Sequence, residues 1–214
     1  MTGRSTAGRK PAFDPRTYQI AALSTLLVLG LLRFGFDVPL LHVAVTLTSA
    51  LAGQWLAMRM GWPSSRAPST SPVPYEWRSA LISGLSLCLL LRAGNVMWMA
   101  LAAFLAVGSK FAFRVPRADG HGTKHVLNPT NGAIVILLLC QAPVWVSPSQ
   151  WGHHLGLALC VAGFGSLVVH RSARSDVTLA FLAAWALVLF GRAALVGQAW
   201  AAPLHQLENG SVAL

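Results

Sequence analysis

Charge is what this sequence has least of: Asp, Glu, Lys and Arg make up only 10% of its 214 residues, against about a quarter in an ordinary soluble domain. That scarcity excludes the usual solvated globular surface. Acidic residues are rarer still, six in all, and Asp14, Asp37, Glu76, Asp119, Asp176 and Glu208 sit between or at the ends of apolar runs. Ion pumps that work through carboxylates place one inside the membrane, so a carboxylate-based pump is disfavoured, while ion coordination by backbone carbonyls stays open. Three cysteines, Cys88, Cys140 and Cys160, stand apart inside apolar runs with no C-x-x-C spacing. Neither a disulfide framework nor a self-contained zinc or iron-sulfur site is supported. No Ser/His/Asp, Walker or G-x-G-x-x-G pattern occurs in a strand-helix context that would give it meaning.

What fills the chain instead is hydrophobic residues, 55% of the total, arranged in seven stretches at 17–32, 38–58, 79–91, 93–109, 130–146, 151–169 and 177–195. The fold class expected is an all-α integral membrane protein, a polytopic bundle of about seven transmembrane helices. The third stretch would cover only about 20 Å of a hydrocarbon core about 30 Å thick, so it tilts little, extends into its flanks, or forms a half-helix packed inside the bundle. The first stretch follows basic residues but lacks a small-residue cleavage pattern, and reads as an uncleaved span.

The formal charge of +10 comes from 16 Lys+Arg. In a soluble chain it would point to nucleic acid, but here it sorts onto loops, and the partner expected is the lipid bilayer, not nucleic acid. With the N-terminus inside, Arg4, Arg9, Lys10, Arg16, Arg59, Arg66, Arg78, Lys110, Arg114, Arg117, Lys124, Arg171 and Arg174 are cytoplasmic, leaving only Arg33, Arg92 and Arg192 outside. This bias sets the N-terminus in and the C-terminus out, in the inner (cytoplasmic) membrane. Residues 1–16 are then a basic cytoplasmic tail, 17–200 the membrane domain and 201–214 an extracytosolic tail. Within the membrane domain, 61–77 is a Pro/Ser-rich cytoplasmic linker and 110–127 a basic cytoplasmic loop. Trp98, Trp145, Trp151 and Trp200 fall near outer boundaries and Trp62 and Trp77 near inner ones, as in aromatic belts.

The most pointed local feature is the end of that basic loop. Asn128 suits an N-cap and Pro129 the first helical position, so a helix starts sharply there. Its N–H groups and positive dipole end would face a loop rich in Lys110, Arg114, Arg117 and Lys124, a place for phosphate, carboxylate or a polar ring edge. Thr130, Asn131 and Gly132 would let a ligand or a neighbouring helix come close to the backbone. Other constellations are less specific. Arg33, Arg92 and Arg192 either converge on an anionic head group, or snorkel to the outer interface or pair with Asp37. A bis-histidine haem from His42 with His153 or His154 is geometrically conceivable but disfavoured, because boundary histidines are usually interfacial. A metal at His121, His125 and His170 is no better supported.

Two stretches carry a resemblance: Asp14-Pro15-Arg16-Thr17-Tyr18-Gln19-Ile20, and Gly108-Ser109-Lys110-Phe111 followed by Gly122-Thr123-Lys124-His125-Val126-Leu127-Asn128-Pro129-Thr130-Asn131-Gly132. Together they resemble the family of membrane subunits shared by the sodium-pumping NADH:quinone reductase and the Rnf electron-transport complex, with its short enediyne-cluster relatives. The resemblance covers roughly Asp14 to Val146 and implies a bundle akin to urea and ammonium channels that carries flavin and passes electrons. The S-G-A-T motif that bears covalent flavin in that family does not occur here, so the cofactor implied is a noncovalent flavin (FMN or riboflavin) or a quinone. The cofactor-binding residues it implies are Lys110, Arg114, Lys124, His125, Asn128, Pro129, Thr130, Asn131 and Gly132, and its partners are membrane or extracytosolic redox proteins. The family's full-length members have about ten spans built as an inverted repeat, so assembly of two copies of this shorter chain stays open. The function expected is a membrane subunit of an electron-transport system. A non-catalytic scaffold or assembly subunit and a small-solute channel are the alternatives.

Overall fold

The computed structural model describes residues 14–60, 75–116, 123–125, 127–147 and 175–199, together with Gly163 and Ala201. The N-terminal tail before Asp14, the linker at 61–74, the sixth apolar stretch apart from Gly163, and the tail beyond Ala201 lie outside the described residues, as do Arg117, His121, His153, His154 and His170.

Helices dominate, as the apolar runs require. Asp14 opens α1 (Pro15–Leu32) by accepting the Arg16 N–H at 3.0 Å, with Pro15 at the first helical position. After Pro39 comes α2 (Leu40–Arg59), and after Glu76 comes α3 (Trp77–Leu90). A three-residue strand β1 (Leu91–Ala93) leads to Asn95, whose side chain caps α4 (Val96–Ala112) by accepting the Met97 N–H at 2.9 Å. A hairpin of β2 (Arg114–Pro116) and β3 (Thr123–His125) then turns the chain into α5 (Pro129–Leu139). Strand β4 (Val144–Val146) and α6 (Ser175–Val196) complete the described elements. Two of these helices, α1 and α2, are long and apolar enough by length and composition to cross a membrane, whereas α3, α4 and α5 are shorter apolar helices.

The third and fifth apolar stretches differ from uninterrupted helices. Helix α3 ends at Leu90 after 14 residues and α5 at Leu139 after 11, and each continues as extended chain. Those extensions find each other: β1 and β4 pair antiparallel with Leu91 opposite Val146, Arg92 opposite Trp145 and Ala93 opposite Val144. The early stop of α5 has a local cause. The Gln141 N–H donates to the Leu138 carbonyl and the Ala142 N–H to the Leu137 carbonyl, both at 3.0 Å, with Gln141 left-handed at φ 53°. This is the Schellman termination, and Pro143 beyond it cannot continue the helix. At the end of α3, Arg92 turns its guanidinium back onto the Cys88 and Leu91 carbonyls, at 2.8 and 2.7 Å, placing a cation where the helix dipole is negative.

The core is built around α3, which packs against α1, α2, α4 and α5. On one side Ala50 and Ala57 of α2, Ala80 of α3, Ala102, Ala103 and Ala106 of α4 and Ala133 of α5 form a seam of small side chains. Such a seam brings helix axes close, and dispersion contacts between backbones replace the packing of large side chains. Gly84 shows how close: a Cβ there would lie 3.0 Å from Leu47 and 3.3 Å from Ala50. On the other side Leu26 and Leu27 of α1 meet Leu85, Cys88 and Leu89 of α3, with Phe36 and Val38 from the connecting turn.

Polar contacts collect at one end. Arg16 of α1 pairs with Glu76 and Arg78 pairs with Asp14 at 3.4 Å, so the two helix starts are crossed together. Lys110, near the end of α4, donates to the Ser79 carbonyl at 2.8 Å and to its hydroxyl at 3.1 Å. Hence α1 and α3 run the same way and α4 runs back. The β2–β3 hairpin follows α4 at this polar end, and the β1–β4 ladder follows α3 at the other.

Candidate functional site

The start of α5 is built as its sequence dictates. The Asn128 Oδ1 accepts the Thr130 N–H at 3.1 Å, and its carbonyl accepts the Gly132 N–H at 2.9 Å. Pro129 has no N–H to offer. The first turn therefore presents one backbone donor, that of Asn131, committed to neither cap contact. Asn128 and Asn131 are exposed and Thr130 is buried, so the turn shows solvent two amide side chains and one N–H. One donor flanked by amides suits a single carbonyl-type oxygen at a ring edge; a phosphate is held by several converging N–H groups.

The basic residues expected around this turn divide. Lys110 belongs to the last turn of α4 and is only 5% exposed, with its ammonium held by Ser79 of α3. It fastens two helices together, and the donors it makes go to α3. Arg114 begins β2, where its Nε donates to the Lys110 carbonyl at 2.7 Å and its guanidinium stacks 5.2 Å above the Phe111 ring. Partial burial lowers its pKa from the usual guanidinium range. The ladder register sets Arg114 opposite His125 and Val115 opposite Lys124, so three of the expected residues share one hairpin, whose second strand ends three residues before the Asn128 cap. Gly132 has Leu127 as nearest neighbour to a would-be Cβ, at 3.9 Å, an ordinary contact. No helix therefore requires glycine there, and the close approach expected of a neighbouring helix is not what occupies this position.

Two features were not read from sequence. The first is the crossed pairing of Asp14 and Arg16 with Arg78 and Glu76. Its signal was the acid-x-Arg triplet that opens both α1 and α3, Asp14-Pro15-Arg16 and Glu76-Trp77-Arg78. The second is the burial of Arg92, which is 7% exposed at the junction of α3 and β1. Of the three arginines expected on the outer side it alone is buried, with its guanidinium on backbone carbonyls, while Arg33 and Arg192 are exposed. His42 is half-buried, and its suggested haem partners lie outside the described residues. Among the described residues no group of three or more His, Cys, Asp or Glu side chains is placed to hold a metal ion.

Neither a family model, nor a curated protein, nor a solved structure matches this chain.

Proposed function

We propose that the chain is a seven-span membrane bundle with a cytoplasmic N-terminus, serving as the membrane subunit of an electron-transport system. It would hold a noncovalent flavin or a quinone against the start of α5 and relay electrons to partner proteins. The carrying observation is the α5 first turn: one uncommitted N–H at Asn131 between two exposed amides, following closely in the chain on the hairpin that pairs Arg114 with His125. A flavin or quinone presents ring carbonyls of the kind this turn can receive. When bound, such a group supplies the electron chemistry. The chain's own residues orient it: the Asn131 N–H and amide side chains address a ring oxygen, and the hairpin's basic residues offset negative charge that builds on reduction.

The membrane part of the reading is supported by α1 and α2, long and apolar enough to cross. It is supported also by α6, which leaves Leu179, Leu187, Val188 and Leu195 exposed. A helix apolar on its outer faces fits lipid as its solvent.

The test is the visible spectrum of detergent-purified protein before and after dithionite and after acid precipitation, with quinone assayed in an organic extract. The expected result is a flavin spectrum that bleaches on reduction and passes into the acid supernatant, or an extractable quinone. Asn128→Ala removes a cap worth about 1 kcal/mol, and the variant should lose cofactor far beyond its small loss of stability. Equal cofactor content in a folded Asn128→Ala, Lys124→Gln double variant would sink the site assignment.

A second reading, a scaffold subunit without ligand, is favoured by the commitment of Lys110 to Ser79, since that cation serves packing. It predicts a colourless protein with no extractable quinone.

A further inference from the structure

The polar end of the bundle carries a second cluster that the α5 reading leaves unused. On α2, the Arg59 guanidinium lies 4.9 Å above the Trp55 ring; on α3, that of Arg78 lies 5.3 Å from the Trp77 ring. Both rings face outward, Trp55 at 51% and Trp77 at 42% exposed. The two pairs share one flank. The Tyr75 hydroxyl donates to the Leu51 carbonyl at 2.8 Å, the carbonyl one helical turn before Trp55. Gly84, further along α3, abuts Leu47 and Ala50, so the helices are antiparallel, and Trp77 and Arg78 fall beside the last turns of α2.

The charges do not cancel. Arg78 shares Asp14 through a long 3.4 Å contact at the surface, while among the described residues Arg59 has an aromatic neighbour and no acid. An exposed pair of guanidiniums on outward-facing indoles, beside a tyrosine, is polar and cationic at one edge and apolar at the other. That matches the depth profile of a phospholipid, whose phosphate meets the cations while its glycerol and upper acyl carbons meet the rings. Arginine suits the phosphate because its planar fork bonds two oxygens at once.

We propose that Trp55, Arg59, Tyr75, Trp77 and Arg78 form a binding site for an anionic phospholipid of the cytoplasmic leaflet, at the junction of α2 and α3. The site rests on the membrane reading above but on no part of the redox reading. Anionic lipid there would clamp two helices whose connecting segment is rich in proline and serine.

The test reconstitutes the full chain into nanodiscs of phosphatidylcholine, with or without phosphatidylglycerol, and measures the affinity for a headgroup-labelled phosphatidylglycerol. Wild type should prefer phosphatidylglycerol. Arg59→Gln should weaken that preference about fivefold, and the Arg59→Gln, Arg78→Gln double variant about 30-fold, the fold-changes that about 1 kcal/mol per interfacial arginine gives. Because Arg78 also ties α3 to Asp14, Arg59→Gln alone is the decisive variant. Arg33→Gln, at the opposite end of α1, should change nothing. A protein that reconstitutes but shows no preference overturns the site. So does a preference untouched by Arg59→Gln, or lowered equally by Arg33→Gln, which reports only net charge. Displacement by soluble glycerol phosphate as effective as by lipid would mean a phosphate site and also overturns it. Failure to enter a bilayer at all instead overturns the membrane reading.

Discussion

At the scale of single residues, the closest fit among the described glycines is Gly30. The turn after α1 folds the Phe36 ring onto it while the Phe36 N–H donates to the Gly30 carbonyl at 2.9 Å, and a Cβ at Gly30 would fall inside that ring. Alanine is normally the better helix residue by about 1 kcal/mol. Here the sign should reverse: Gly30→Ala forces the ring out of a buried cluster and is expected to destabilise by about 1–3 kcal/mol. Thermal denaturation in detergent checks it, and the double variant with Phe36→Leu decides the cause. With the ring gone the alanine should be neutral or better, a departure from additivity that residues in contact produce. Equal losses in both backgrounds would mean that something other than Phe36 crowds Gly30. Nothing in the sequence announces this contact, because the residues between the partners carry no pattern that brings a ring back over its own helix.

At the scale of elements, hydropathy located the helices and misjudged how one of them ends. The helices α1 to α4 and α6 fall within about three residues of the apolar stretches read from sequence, as expected when burial of side chains sets the boundaries. The fifth stretch, read as continuous from 130 to 146, breaks after Leu139 because hydropathy is blind to whether an apolar residue is helical or extended. The local signal was Gln141-Ala142-Pro143, a termination in which glutamine occupies the left-handed position that glycine usually takes. The same chain uses glycine at the corresponding place in α6, where Gly197 has φ 68° and the Gln198 N–H reaches the Ala193 carbonyl at 2.9 Å. Gln141→Gly should therefore stabilise, by about 0.5–1 kcal/mol. This is the relief of a left-handed Cβ, about 1–2 kcal/mol, less the freedom that glycine adds to the unfolded chain. Gln141→Ala keeps the Cβ and should gain nothing, so equal melting temperatures for the two variants would refute the argument. The candidate site was legible in part for a similar reason. A cap is local chemistry, so Asn128 and Pro129 could be read directly. Lys110 could not, because its partner Ser79 is 31 residues away and only the packing of α3 on α4 brings them together.

At the scale of the whole molecule, the question is whether the two broken segments still cross a bilayer. An uninterrupted α3 of 14 residues would reach about 21 Å, short of a core about 30 Å thick. The three extended residues of β1 rise faster, adding about 10 Å, so the helix and strand together make about 31 Å. Extended backbone is tolerated at such depth only where its N–H and C=O groups are satisfied and shielded from lipid. Both conditions are met at β1: Leu91, Arg92 and Ala93 are buried, and the ladder to β4 supplies the partners. The α3–β1 unit is therefore expected to cross once; β4 shares the ladder but exposes Trp145 and Val146, so the crossing of α5–β4 is expected from the charge bias alone. A periplasmic-activity reporter fused at Gly94 or after Ala201 should then be active, and one fused in the 61–74 linker or the loop between β2 and β3 should be silent. If α3–β1 failed to cross, the Gly94 fusion would be silent and every later fusion would switch sign, so the hairpin-loop fusion would become active. Arg33, Lys110, Arg114, Arg117, Lys124, Arg171 and Arg174 would then lie outside against nine basic residues inside, erasing the bias that orients membrane helices. One fusion series thus tests both the depth of the broken helices and the orientation that places the α5 start on the cytoplasmic side.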